Sequence, residues 1–103
     1  MLKVALELIN IDEDQAEKCV EKTIETLSLI VHPIKKSIVV EPHDDVRGVW
    51  ARFDVKDVES PSSSFNKALA AAIKSIVLMQ VHPNTKAVVH VVIGNDKGEK
   101  EHE

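Results

Sequence analysis

Residues 48–80 hold an alternating run that passes into a long apolar-periodic segment, a handover that limits the chain to architectures in which a strand feeds directly into a helix. In Val49-Trp50-Ala51-Arg52-Phe53-Asp54-Val55-Lys56, the residues Val49, Ala51, Phe53 and Val55 fall on one side and Trp50, Arg52, Asp54 and Lys56 on the other, the period of two of a half-buried strand. One face turns to a core and the other meets water or a partner. Ser60 then offers a hydroxyl N-cap, and Pro61 suits the first helical position, where its missing N–H costs nothing. From Phe65 through Leu69, Ile73, Ile76 and Val77 to Gln80 the apolar residues recur at three and four, while Ala68, Ala70, Ala71 and Ala72 raise helix propensity and keep the helix thin.

The segments around this core unit follow the same two periods. Leu2, Val4, Leu6 and Leu8 alternate with Lys3, Ala5, Glu7 and Ile9, which predicts a strand. Asp12 or Asp14 caps a first helix whose buried stripe is Ala16, Val20, Ile24, Leu27 and Val31, and Pro33 ends it because the residue before a proline is pushed out of the helical region. Ser37 to Val40 reads as a short strand, joined by the polar turn Glu41-Pro42-His43-Asp44-Asp45 to the strand from Val49 to Val55, so a hairpin is expected. Val81-His82-Pro83 repeats Val31-His32-Pro33 about fifty residues on, which divides the chain into two strand-helix-strand halves. Two such right-handed crossovers give an α+β fold: a two-layer ferredoxin-like sandwich, β-α-β-β-α-β, with an antiparallel sheet and two helices on one face. The last strand, Ala87 to Ile93, is apolar on both faces apart from His90, as a central strand would be or one whose outer side is covered. Residues 1–94 form the domain, and 95–103 are expected to be a charged disordered tail.

A chain of 103 residues makes one domain, and with aromatics at only 3% its core must be built from Val, Ile, Leu and Ala. The net charge of −4 supplies no global field for nucleic acid or an anionic membrane. Cys19, the one cysteine, has no intramolecular partner; with no signal-peptide pattern and no apolar run of membrane-spanning length, a cytoplasmic protein without a membrane partner is expected.

The reactive residue types do not assemble into a catalytic pattern. His32, His43, His82, His90 and His102 lack the spacing that zinc sites use on one helix, and His32 and His82 stand at helix-ending prolines, where a ring can meet the last free carbonyls. His43 beside Asp44 and Asp45 has no nucleophile near it and reads as part of a solvated turn. Cys19, flanked by Lys18 and Lys22, lies beside the apolar stripe and reads as packing, while Ser60, Ser62, Ser63 and Ser64 read as a capped helix start rather than an anion cradle. No catalytic, cofactor or metal residue is therefore assigned. Trp50 is different: it shares with Arg52 and Asp54 the face turned away from the core, and Trp and Arg are enriched at interface hot spots.

The segment Phe53-Asp54-Val55-Lys56-Asp57-Val58, followed without a gap by Phe65, Asn66 and Leu69, resembles the strand-to-helix signature of the small dimerisation subunit of the KEOPS complex, with Ser62 where that family carries arginine. The resemblance spans roughly residues 3 to 80. It implies a non-catalytic accessory subunit of the machinery that makes the threonylcarbamoyl modification on transfer-RNA adenosine, one that dimerises through its sheet and docks helices against the catalytic subunit. It would place Phe65, Asn66, Leu69 and Ile73 on the docking helix and Trp50, Arg52 and Asp54 near the pairing face. Ser62 and the acidic balance point to a divergent paralogue, a homodimer or a heterodimer with the ordinary small subunit, which approaches transfer RNA at most indirectly. A ferredoxin-like RNA-binding domain and a small-ligand-binding regulatory module are the alternatives; for RNA, Trp50 lacks the second aromatic that stacks bases from an adjacent strand.

Overall fold

The computed structural model describes residues 1–56 and 62–94, and over them the elements run β1 (Leu2–Ile9), α1 (Glu13–Leu27), β2 (His32–Pro42), β3 (Gly48–Lys56), α2 (Ser63–Leu78) and β4 (Lys86–Ile93). The strands form one antiparallel sheet in the order β2-β3-β1-β4, so the expected ferredoxin-like arrangement is what the chain adopts, with β4 at an edge rather than in the middle. The period-two pattern of β1 and β3 dictates the layering. Leu2, Val4, Leu6 and Leu8 stand opposite Val55, Phe53, Ala51 and Val49 in strict register, and all eight are buried. Above them α1 lays down Ala16, Val20, Ile24 and Leu27, and α2 adds Leu69, Ile73 and Val77. Phe53 is the largest of the fully buried side chains, and burying a residue of its size stabilises the fold by about 1.5–3 kcal/mol.

The helix boundaries differ from the sequence expectation in instructive ways. α1 stops at Leu27, well before Pro33: Leu29 N–H turns to the Thr26 carbonyl and Ile30 N–H to that of Leu27, tightening the last turn. Val31 is still buried, but from the connection rather than from the helix. Pro33 belongs to β2, since the extended conformation it forces on His32 begins a strand as readily as it ends a helix. β2 is thus longer than Ser37 to Val40, although those residues lie in it and Val39 and Val40 pair with Arg52 and Ala51 in the expected hairpin. The Ser60 cap and Pro61 lie outside the described residues, as do Asp57, Val58 and the tail 95–103. The observed cap of α2 is Ser62, whose hydroxyl accepts the Phe65 N–H at 3.0 Å.

The repeated Val-His-Pro triplets take unlike conformations. His32 and Pro33 are strand, whereas His82 and Pro83 form a turn closed by Thr85 N–H on the His82 carbonyl at 2.9 Å, and His82 Nδ1 accepts the Asn84 N–H at 3.1 Å. Neither histidine sits at a helix end, where the sequence had placed them, because α1 stops at Leu27 and α2 at Leu78.

One end of the sheet is organised by Asn10, whose φ of 69° lies in the left-handed region that asparagine enters more readily than most residues. Asn10 N–H donates to the Arg47 carbonyl, Arg47 Nη1 donates to Asn10 Oδ1 at 3.0 Å, and the Thr85 hydroxyl donates to the Asn10 carbonyl at 3.1 Å. Beside it, a Cβ at Gly48 would fall 2.1 Å from the Leu8 carbonyl oxygen, so only glycine fits there.

Candidate functional site: the uncovered face of the sheet

Both helices lie on the face that buries the odd-numbered residues of β3, and among the described residues no further layer covers the opposite face of the sheet. Register fixes who stands on it. Lys3, Ala5, Glu7 and Ile9 of β1 are opposite Asp54, Arg52, Trp50 and Gly48 on one side and Val92, His90, Val88 and Lys86 on the other. Val39 and Glu41 of β2 complete the row beyond Arg52 and Trp50. Apolar and charged side chains are interleaved, and Val39, Val88 and Val92 are exposed among them.

Trp50 is the centre of an ordered cluster on this face. The His43 ring stacks on it with centroids 5.5 Å apart and planes 16° from parallel, and the Arg52 guanidinium lies 5.3 Å from its ring centre, within cation–π range. Arg52 also reaches Glu41 at 3.4 Å. His43 is fixed at both nitrogens: Asp45 N–H donates to Nδ1 at 3.1 Å, which puts the ring proton on Nε2, and Nε2 donates to the Glu7 carboxylate at 2.6 Å. The His43 side chain is only 8% exposed, so what the sequence offered as a solvated turn residue is folded over the sheet between Glu7 and Trp50. Parity places Glu7 and Trp50 face to face once β1 and β3 are paired, but it does not place the His43 ring, which the turn brings over them.

Asp54 stands at the other end of the same face and helps line, with Lys3, Ser37, Arg52, His90 and Val92, a groove of about 330 Å³. The three pairing-face residues expected from the sequence are thus neighbours on one surface. The four on α2 are divided: Leu69 and Ile73 are buried in the chain's own core and bear on any docking only from beneath. Phe65 is exposed, and Asn66 lies in a shallow groove of about 280 Å³ between α2 and β4, where its Oδ1 is excluded from solvent and has no hydrogen-bond partner among the described residues.

The remaining chemistry is on the helix side. Cys19 is buried against the core, and burial pushes its thiol above the ordinary value of 9.0, with a hydrogen bond from Thr23 acting the other way. It borders a groove of about 480 Å³, with Lys18, Lys22, Gln80 and His82 around it. Packing, as the sequence suggested, is what its environment serves. Among the described residues no three His, Cys, Asp or Glu side chains converge as metal ligands, and no helix is long and apolar enough to cross a membrane.

Comparison with known proteins adds no relative: no family model, no curated protein and no solved structure matches this chain.

Proposed function

We propose that this chain is a non-catalytic accessory subunit of the KEOPS transfer-RNA modification complex, acting by pairing with a second small subunit and docking to the catalytic one. The observation that carries the partner-binding part is the uncovered sheet face: Trp50 is held in place by His43 and Arg52 amid exposed Val39, Val88 and Val92, a rigid aromatic and arginine anchor of the kind that dominates protein interfaces. The choice of complex rests on the strand-to-helix resemblance through Phe53, Phe65, Asn66 and Leu69. Partner binding is favoured over RNA binding because Glu7, Glu41 and Asp54 offset Lys3, Arg52 and Lys86 on this face, so it presents no basic patch to a phosphate backbone.

The test is reconstitution. Mixed with the separate KEOPS subunits, the chain forms a stoichiometric complex seen by light scattering, and Trp50→Ala weakens it about tenfold or more while leaving the free chain folded. Failure to bind any KEOPS subunit removes the assignment to that complex, and salt-sensitive binding of RNA by the isolated chain would instead favour the RNA-binding alternative.

A further inference from the structure

The charges of α1 are sorted by sign. Glu17, Glu21 and Glu25 form one row at four-residue spacing, and Lys18 and Lys22 form another about 100° round the helix. Like charges four residues apart repel, so each row weakens the helix that carries it. Asp14 stands four residues before Lys18, the spacing of a helix ion pair, yet among the described residues neither lysine makes an ion pair.

The lysine row borders the groove of about 480 Å³ between α1 and the connection from α2 to β4, and no described carboxylate lines that groove. From the connection, His82 faces the same space. Its Nδ1 accepts the Asn84 N–H at 3.1 Å, which puts the ring proton on Nε2 and makes a third donor beside the two ammonium groups. Ile11 and Cys19, both buried, and half-buried Val81 supply an apolar wall. In a chain of net charge −4, a cleft bounded by cations and a low-dielectric wall is a local reversal of sign, and it concentrates anions.

We propose that this groove binds a small organic anion, a carboxylate or phosphate monoester on a short apolar body, with the anionic group between Lys18 and Lys22 and the body against Ile11, Cys19 and Val81. The space is that of a small-molecule site, which holds roughly 300–1,000 Å³. An anion shared by both lysines accepts charge-assisted hydrogen bonds and cancels the repulsion within their row, so binding returns the stability that sorting the charges gives up. The groove lies in the helix layer, and Trp50 takes no part in it, so a ligand there is independent of the pairing proposed above.

The isotope-labelled full chain is titrated with hexanoate, hexyl phosphate and uncharged hexanol and followed by amide NMR. Hexanoate or hexyl phosphate is expected to shift Lys18, Cys19, Lys22 and His82 saturably, the tighter of the two identifying the anionic group, and hexanol to bind at least about tenfold more weakly. The double variant Lys18→Gln with Lys22→Gln alters two exposed side chains, so the fold stands, and its dissociation constant for the anion is expected to rise about tenfold or more. Lys74→Gln removes an exposed charge of α2 outside the groove and is expected to leave binding unchanged. Equal affinity for hexanol and the anions, or binding that survives the double variant, overturns the anion site. The absence of a saturable shift with either anion overturns the groove as a binding site, and none of these results bears on assembly with KEOPS subunits.

Discussion

Asp54 donates its backbone N–H to the Ser37 hydroxyl at 2.7 Å, and the Ser37 hydroxyl donates in turn to the Ile34 carbonyl at 2.7 Å. The pair stands where the ladder between β2 and β3 breaks, so one side chain replaces the backbone partner that the bulge takes away. Ser37→Ala leaves a half-buried N–H without its acceptor and is expected to cost about 1 kcal/mol, read as a lower urea midpoint at unchanged slope. Ser37→Thr, which keeps the hydroxyl, is expected to recover most of the loss.

The bridge from Glu7 through His43 to Trp50 makes a second expectation. His43→Ala removes both the stacked ring and the donor to Glu7, and is expected to cost about 1–2 kcal/mol. Trp50 is the only tryptophan, so its fluorescence reports the change directly as a red shift in the folded state. Nitrogen NMR of the wild-type ring at neutral pH should show the proton on Nε2 and an unprotonated Nδ1; the reverse tautomer would contradict the Asp45 N–H bond.

The strands β1 and β3 were legible because each has one buried face, and alternation fixes which side chains turn to it: Leu6 and Val4 of β1, Ala51 and Phe53 of β3. The end of α1 was not legible, since Val31 satisfies the helical stripe yet reaches the core from the connection, and Pro33 signals a break without saying on which side. β2 was read short for a related reason: its bulge interrupts the alternation between Ile34 and Val39, so only the stretch after the break looked like a strand. At the candidate site Trp50, Arg52 and Asp54 could be placed on one face by parity alone. His43 could not, because its position depends on Glu7, distant in sequence, and on a turn whose backbone holds the ring.

Cys19 gives a pH expectation with a definite sign. Burial raises its thiol above 9.0 in the folded chain, opposed in part by Thr23. Below the unfolded value both states keep the proton, so the group contributes no pH dependence there. As pH rises past 9.0 towards the raised folded value, the unfolded chain ionises first and stability falls. Cys19→Ser, which does not titrate in this range, should flatten the alkaline limb of a urea-midpoint profile relative to wild type. At neutral pH the native thiol should react with a disulfide reagent at least about tenfold more slowly than the urea-unfolded chain; equal rates would place Cys19 at the surface.

Thr23 ties the two helices together through a single oxygen. It is fully buried, its hydroxyl donates to the Cys19 carbonyl one turn back at 2.7 Å, and the same oxygen accepts from Gln80 Nε2 at 3.0 Å, just past the end of α2. Gln80 also donates to the Ile76 carbonyl, so it caps its own helix while reaching the other. Thr23→Val keeps the shape and removes the oxygen, and is expected to cost about 1 kcal/mol; Gln80→Ala should cost less, because its amide is partly solvated and leaves no buried donor behind. If the shared bond couples the helices, the double variant should be less destabilised than the two singles added together, by about 0.5 kcal/mol or more. Simple additivity in urea unfolding would show that each residue acts only within its own helix, and that the α1–α2 contact is held by apolar packing alone.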